Sequence, residues 1–419
     1  MSNGRPTWVA PWGYREGWWI AAGLVVIGYA LQWVAGSWPV HLLAWPVNGL
    51  IGLVFSLLLV LAHLFGRRWE LVAWTGKIPA AMCSITLLTA FVLVMGLVLQ
   101  GDESAPAWVQ RLGLTEMTRS WPFLFAVWWF LAALGLATVK RMIPWRKKNI
   151  GYLLNHLGLY VAVLAALLGA ADVRRVLMEL REGELVWMAS DEDGHVYEMP
   201  LAMELQSFIK EEFNPKAAIV ETDTHRIVPE IRGQMFEIDT GAQGQLLDWQ
   251  IEVDRFIELS MPIGGRYEPI IDQGAGPSAY VRARHLHEER TVEGWITCGS
   301  FAFPHELLAL DDNLSLAMTV PRASAYRSDV ILYTPDQDAR RITIEVNKPY
   351  AVDGWKLYQY SYDDRFGRWS PTSIIEVIRD PWLPVVYTGI FMMMAGAVYL
   401  MFKGRPADDQ GKGAPNAAV

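Results

Sequence analysis

Cysteine is nearly absent from this chain: among 419 residues there are two, Cys83 and Cys298. No CxxC occurs, and one thiol falls in an apolar run while the other falls in a polar segment, so the two cannot pair. A disulfide framework and a thiol redox motif are both excluded, and two buried thiols are expected. Serine-hydrolase elbows, P-loops, dinucleotide fingerprints and metalloprotease helices are missing too. No self-contained catalytic motif remains. The formal charge of −8 leaves no basic nucleic-acid footprint, and no internal repeat is present.

Apolar residues are abundant by contrast, at 52% of the chain with 20 tryptophans. A bilayer core takes about 20 residues of helix. Six runs are long and apolar enough, roughly 17–36, 45–65, 78–100, 121–139, 150–171 and 381–402. The first is longer than a signal-peptide h-region, and no clear cleavage site precedes the next run, so it is expected to be retained. Lysine and arginine set the orientation. Thirteen fall on one side: Arg5, Arg15, Arg67, Arg68, Lys77, five in 140–148, Lys403, Arg405 and Lys412. The opposite short loops hold two, Arg111 and Arg119. Both termini are therefore expected to be cytoplasmic and the 209 residues 172–380 extracytoplasmic. That segment carries a balance of −16 against +8 elsewhere, which suits solubility or the attraction of a basic partner. The cytoplasmic loops, 66–77 and 140–148, are too short for a catalytic or signalling domain.

The fold class that follows is a polytopic α-helical membrane protein with about six transmembrane helices and one large extracytoplasmic, mainly-β domain. Its expected parts are a five-helix region 1–171, the β-rich domain 172–380, a sixth helix 381–402 and a disordered cytoplasmic tail 403–419. Strand alternation is clear in "RRITIEVNKPY", where Ile342, Ile344 and Val346 alternate with Arg341, Thr343 and Glu345. "WQIEVDRF" puts Trp249, Ile251 and Val253 on one face. Further strands are expected at 184–189, 279–285, 291–298, 329–334 and 355–362, between turns at Asp193-Gly194, Gly264-Gly265 and Asp353-Gly354. "PLAMELQSFIKEEF" has helical spacing, with Leu201, Leu205, Phe208 and Ile209 on one side. Trp38, Trp45, Trp121, Trp145 and Trp382 fit membrane-interface belts, and His41 lies among them.

Histidines are the candidate functional residues. His156 stands eight residues after Lys148, about 12 Å into the fifth run, directly after Asn155. Polar groups at that depth need a partner. A neighbouring helix can supply one, or the imidazole ligates haem iron or another metal, or carries a proton. His63, four residues before Arg67, lies in the same leaflet and either helps to bracket a cofactor or snorkels to the interface. His285 and His287 share a strand face by period two, yet no third ligand is apparent for a metal. His195, His225 and His305 stand isolated.

The stretch "WRKKNIGYLLNHLGLYVAVLAALLGAADVRRVLMELREGE" resembles the ResB family of cytochrome c biogenesis at the helix carrying its intramembrane histidine. "NKPYAVDGWKLYQYSYD", followed by "PWLPVVYTG", is similar to the family's other hallmark. The resemblance extends over the whole architecture. It implies a bacterial cytoplasmic (inner) membrane protein of system II, which moves haem b outward and joins it to the CxxCH cysteines of apocytochrome c. It implies a CcsA-like membrane partner, here separate because this chain lacks the tryptophan-rich loop and ends 17 residues after its last run. By motif position His156 is the axial ligand to haem in transit, with the second ligand from the partner, while His63 has no counterpart. Any enzymatic role is that of a subunit in a holocytochrome c synthase.

Haem's apolar ring suits a helical groove, and its propionates suit the basic cluster 140–148, which is equally accounted for as the positive-inside signal. The competing reading is a scaffold that never touches haem and docks apocytochrome c for CcsA. A transmembrane sensor lacks an output domain, and a two-haem electron carrier lacks histidine pairs. Tyr358, Tyr360 and Tyr362, on one face of 355–362, either pack the domain core or dock CcsA or the apocytochrome.

Overall fold

The computed structural model describes residues 6–229 and 234–403; of the tail 403–419 expected to be disordered, Lys403 ends the last helix, and the rest, with Arg405 and Lys412, lies outside the described residues, as does Arg5. The chain divides into two compact units, Met1–Val173 with Asp380–Val419, and Arg174–Arg379.

The first unit is helical: α1 Tyr14–Ala35, α2 Val47–Phe65, α3 Glu70–Thr75, α4 Ile78–Leu97, α5 Ala107–Arg111, α6 Trp121–Met142, α7 Ile150–Gly169 and α8 Leu383–Lys403. Among the described residues six helices are long and apolar enough to cross a membrane. Pro79 and Pro122 open α4 and α6 within their first two positions, where a missing N–H costs nothing. α6 is the hub. It packs against α1, α2, α4 and α7, and Leu131, Leu134 and Leu136 on it meet Leu59 of α2 and Tyr160 of α7 in one apolar cluster.

α7 and α8 form an antiparallel pair whose contact is backbone on backbone. A Cβ added at Gly158 would lie 2.6 Å from the Gly389 carbonyl oxygen, and one at Gly389 would lie 2.5 Å from that of Gly158. Seven residues away on either helix the seam continues. Gly151 abuts Leu400, and Gly396 abuts Asn155. Small residues at helical interfaces allow such close approach in a membrane, where packing replaces the hydrophobic drive. At the seam's end, Trp382 Nε1 donates to Asp172 Oδ2 at 2.6 Å and Asn48 Nδ2 donates to the same oxygen at 2.7 Å. The Trp45 N–H donates to Asp172 Oδ1 at 2.8 Å, so one carboxylate holds α2 to both partners of the seam. Of the tryptophans expected at the interfaces, only Trp38 is fully withdrawn from the surface. Trp38 is buried and donates to the Thr118 carbonyl, and Trp382 is committed to Asp172, while Trp45 and Trp145 are exposed.

The second unit is all β among its described residues apart from one short 3₁₀ turn, Asp364–Trp369. Its strands are β1 Arg174–Arg181, β2 Leu185–Ser190, β3 Val196–Glu212, β4 Lys216–Glu221, β5 Phe236–Glu237, β6 Gln243–Leu246, β7 Trp249–Ile263, β8 Arg266–Pro269, β9 Gly276–His285, β10 Thr291–Thr297, β11 Leu308–Ala309, β12 Leu314–Met318, β13 Ala323–Thr334, β14 Gln337–Glu345, β15 Tyr350–Val352, β16 Trp355–Tyr362 and β17 Thr372–Arg379. One sheet runs β14-β13-β3-β2-β1-β17-β16-β15, and it curls until β14 meets β16, enclosing Met178, Leu205, Val330, Ile344, Leu357 and Val377. A second core lies between the sheets β10-β9-β7-β6 and β11-β12-β4-β5, around Ile219, Ile251, Val281, Ile296 and Leu316. The first and last strands pair throughout, from Arg174 opposite Arg379 to Arg181 opposite Thr372.

Two expectations fail for the same reason. The stretch 200–213 is no helix: all of it but Phe213 belongs to β3. Opposite β13, Leu205 faces Val330 and Ser207 faces Asp329, so Gln206 is an extra residue. The bulge moves the buried side from odd positions (Leu201, Met203, Leu205) to even (Phe208), which produces spacings of four and three that imitate a helix. In β16 Gln359 faces Ile375 and Ser361 faces Ile374, so Tyr360 is the extra residue. The three tyrosines therefore do not share a face. Tyr362 turns inward and stacks on Phe208 at 4.9 Å, while Tyr360 is exposed. Val346 also falls beyond its strand.

Replacing Gly389 by leucine should force α7 and α8 apart at a destabilisation of about 1–3 kcal/mol, the usual cost of overpacking. The matched control is Gly23→Leu, where nothing lies within 4 Å of an added Cβ. Thermal unfolding in detergent should separate the two variants; equal midpoints would mean that the seam is not a stability determinant.

Candidate functional site

His156 and Asn155 both line one cavity, and Asn155 also packs into the α7–α8 seam. Asn155 faces the α7–α8 seam, where its Nδ2 donates to the Gly151 carbonyl at 3.1 Å. The cavity has a volume of about 1140 Å³, above the ~300–1,000 Å³ usual for small-molecule sites. Its walls come from the start of α4 (Ile78, Ser84, Ile85), from α6 (Phe130, Ala133, Leu134, Ala137), from α7 (Tyr152, Leu159) and from Met393 of α8. Lys77, Lys140, Arg141, Arg146 and Lys148 also line it, with Asn149 and Asn155, and no acidic residue is among the lining residues. Lys140 and Arg141 occupy the last turn of α6, where cations complement the carbonyl end of the helix dipole. The cavity thus has an apolar wall and a cationic rim.

His156 Nδ1 lies 3.1 Å from the Tyr152 carbonyl oxygen. A carbonyl only accepts, so this contact assigns the proton to Nδ1 and leaves the lone pair on Nε2. Tyr152 is absent from the sequence-based candidates. Its signal is the i, i+4 spacing to His156 on one helix face. Lys77 is also new to the site, because the folding of α4 against α6 brings a residue of another loop to the rim. His63, in the last turn of α2, does not line this cavity.

In the β unit the remaining histidines rearrange. β9 ends at His285, so period two does not extend to His287. Their rings are 6.1 Å apart, and His285 packs edge-on to Trp249 at 5.0 Å. His225 and His305 are not isolated but pair edge to face at 5.3 Å. Neither is His195, which groups with Asp191 and Asp193 in the β2–β3 turn. There Asp191 already accepts from the backbone of Asp193 and His195 and from the Tyr197 hydroxyl. These bonds tie a turn.

Six helices long and apolar enough to cross a membrane, a large β-rich insertion and a basic-rimmed cavity among the helices define the class of this chain. The model of the ResB-like family matches residues 145–370, more than half of the chain, and the chain belongs to that family. Its general role is accordingly in cytochrome c biogenesis. No curated protein matches the chain.

Both thiols are free; Cys83 is buried and Cys298 partly so. Burial raises the Cys298 thiol from its ordinary value of 9.0 to about 11. A raised thiol value means less thiolate at any pH below it. At pH 8 Cys298 in the folded protein should therefore alkylate with iodoacetamide about 100-fold more slowly than an ordinary thiol, and denaturant should abolish the difference. Equal rates before and after unfolding would contradict its burial.

Proposed function

We propose that the chain carries haem as its cargo, that His156 ligates the iron through Nε2, and that a CcsA-like membrane partner completes the coordination. The observation that carries the reading is the co-location in one cavity of an imidazole with a free Nε2, apolar walls and five cationic side chains. Neutral imidazole nitrogen is a common axial ligand to haem iron. A flat apolar macrocycle matches Phe130, Leu134 and Leu159, and its two carboxylates match lysine and arginine at the rim. Bound haem supplies the iron that makes the imidazole a ligand; everything else is done by the chain. The apolar wall excludes water, the rim orients the carboxylates, and the Tyr152 carbonyl keeps the proton on Nδ1. His63 has no part in this scheme.

In the same reading the β unit is extracytoplasmic, in the periplasm of a bacterial inner-membrane protein of system II, and presents the CxxCH segment of apocytochrome c to the haem. The orientation rests on the lysine and arginine asymmetry. A reporter active only outside the cytoplasm should work when fused after Asp172 or Gly264 and stay silent after Lys148 or Phe402. Activity at Lys148 would reverse the topology.

The ligand role has its own test. His156→Gly should abolish maturation of c-type cytochromes while the protein remains at its normal level in the membrane. Imidazole added to the medium should restore maturation by filling the vacated position. Normal maturation in the glycine variant would leave only the scaffold reading, in which haem never meets this chain.

A further inference from the structure

An imidazole that ligates iron must present its nitrogen along one direction, and a histidine side chain does not hold that direction unaided. Its second torsion is broad and roughly two-fold, and a carbonyl acceptor tolerates a wide range of angles. The contact from Nδ1 to the Tyr152 carbonyl selects the tautomer without fixing the ring plane. A second contact acts on the plane. The Tyr152 ring lies nearly parallel to the His156 ring, with centroids 3.7 Å apart and planes 19° from each other. Tyr152 is restrained in turn: the Arg141 guanidinium sits over its ring, 4.5 Å from the centroid. Arg141 lies in the last turn of α6 and Tyr152 in the first turn of α7, so the column Arg141–Tyr152–His156 is built by packing two helices. All three residues line the cavity.

We propose that Tyr152 is the positioning residue for His156, its carbonyl setting the tautomer and its ring setting the imidazole plane, with Arg141 clamping the ring. The inference rests on the haem reading above and deepens it. A residue chosen only to fill space beside His156 need not stack in parallel with it, and an arginine present only as a positive-inside charge need not lie over an aromatic face. The arrangement matches what metal-ligating histidines require, namely a partner on the second nitrogen and a fixed ring orientation.

The test uses the full chain purified in detergent and titrated with haemin, read by absorbance for affinity and by low-temperature electron paramagnetic resonance for the ligand field. Four variants accompany the wild type: Tyr152→Phe, Tyr152→Leu, Arg141→Gln and His156→Gly. Tyr152→Phe keeps both the ring and the carbonyl and should match the wild type. Tyr152→Leu keeps the carbonyl alone; it should bind haemin about 10-fold more weakly, the lower end of the cost of losing an outer-shell partner, with a broadened resonance. Arg141→Gln should broaden the resonance in the same direction. If His156→Gly and the wild type give the same spectrum, the haem reading falls and this inference falls with it. If His156→Gly loses the wild-type spectrum while Tyr152→Leu keeps both affinity and resonance, the positioning role alone is overturned. It is overturned equally if Tyr152→Phe loses as much as Tyr152→Leu, since the hydroxyl would then be the acting group. Should the leucine variant fail to accumulate, an unaltered resonance in Arg141→Gln overturns the clamp.

Discussion

The α7–α8 seam is the constraint on which the helical unit turns. Glycine at 158 and 389 lets two backbones touch, and no side chain fits between them. Close approach does more than join the helices. It brings Met393 of α8 to the cavity beside His156 of α7, and it closes the far end of the pair with the Trp382–Asp172 bond between residues 210 apart in sequence. Asp172 then recruits Asn48, which is fully buried and also donates to the Leu168 carbonyl at 3.0 Å. The half-buried Asp172 carboxylate thus accepts from three donors. The helices that lead into and out of the β-rich insertion are thus pinned to each other within the helical unit itself.

One helix serves two environments because consecutive residues on it point about 100° apart. Asn155 packs against Gly396 in the seam and also reaches the cavity lining. His156 faces a space that the neighbouring helices leave open. Two neighbouring polar side chains thus share one cavity lining, and only Asn155 also packs into the seam. Cationic residues at the rim come from the last turn of α6, from the segment 144–149 and from the start of α4. Five of the lysines and arginines that set the expected orientation are among the residues that rim the cavity.

Inside the β unit, polar groups in the curled core are mutually satisfied. Ser328, Gln359 and Ser373 bond to each other at 2.6–3.3 Å, and among the described residues no buried side-chain nitrogen or oxygen lacks a partner. Bulges at Gln206 and Tyr360 allow long strands to bend around that core. Bending has a consequence for surfaces: Tyr362 ends inside, stacked with Phe208 and beside Tyr326, and Tyr360 outside.

What the amino-acid order determines by itself is whatever depends on local composition. Six apolar runs become six long helices within a few residues of their expected ends, because hydropathy over about 20 residues needs no tertiary information. Strands such as β14 and β9 are legible where alternation is uninterrupted, and His156 stands out because a titratable group inside an apolar run is conspicuous in any context. Tertiary structure decides the rest. A bulge depends on a partner strand, so β3 imitates a helix in sequence and three tyrosines imitate one face. The two cores of the β unit depend on which sheets stack, and no single strand records that. Glycines seven apart on α7 and α8 mean little until the helices are known to touch. Lys77 and Met393 reach the cavity of His156 only through packing between segments far apart in the chain, and Tyr152 becomes more than an interfacial tyrosine only when Arg141 of another helix lies over its ring.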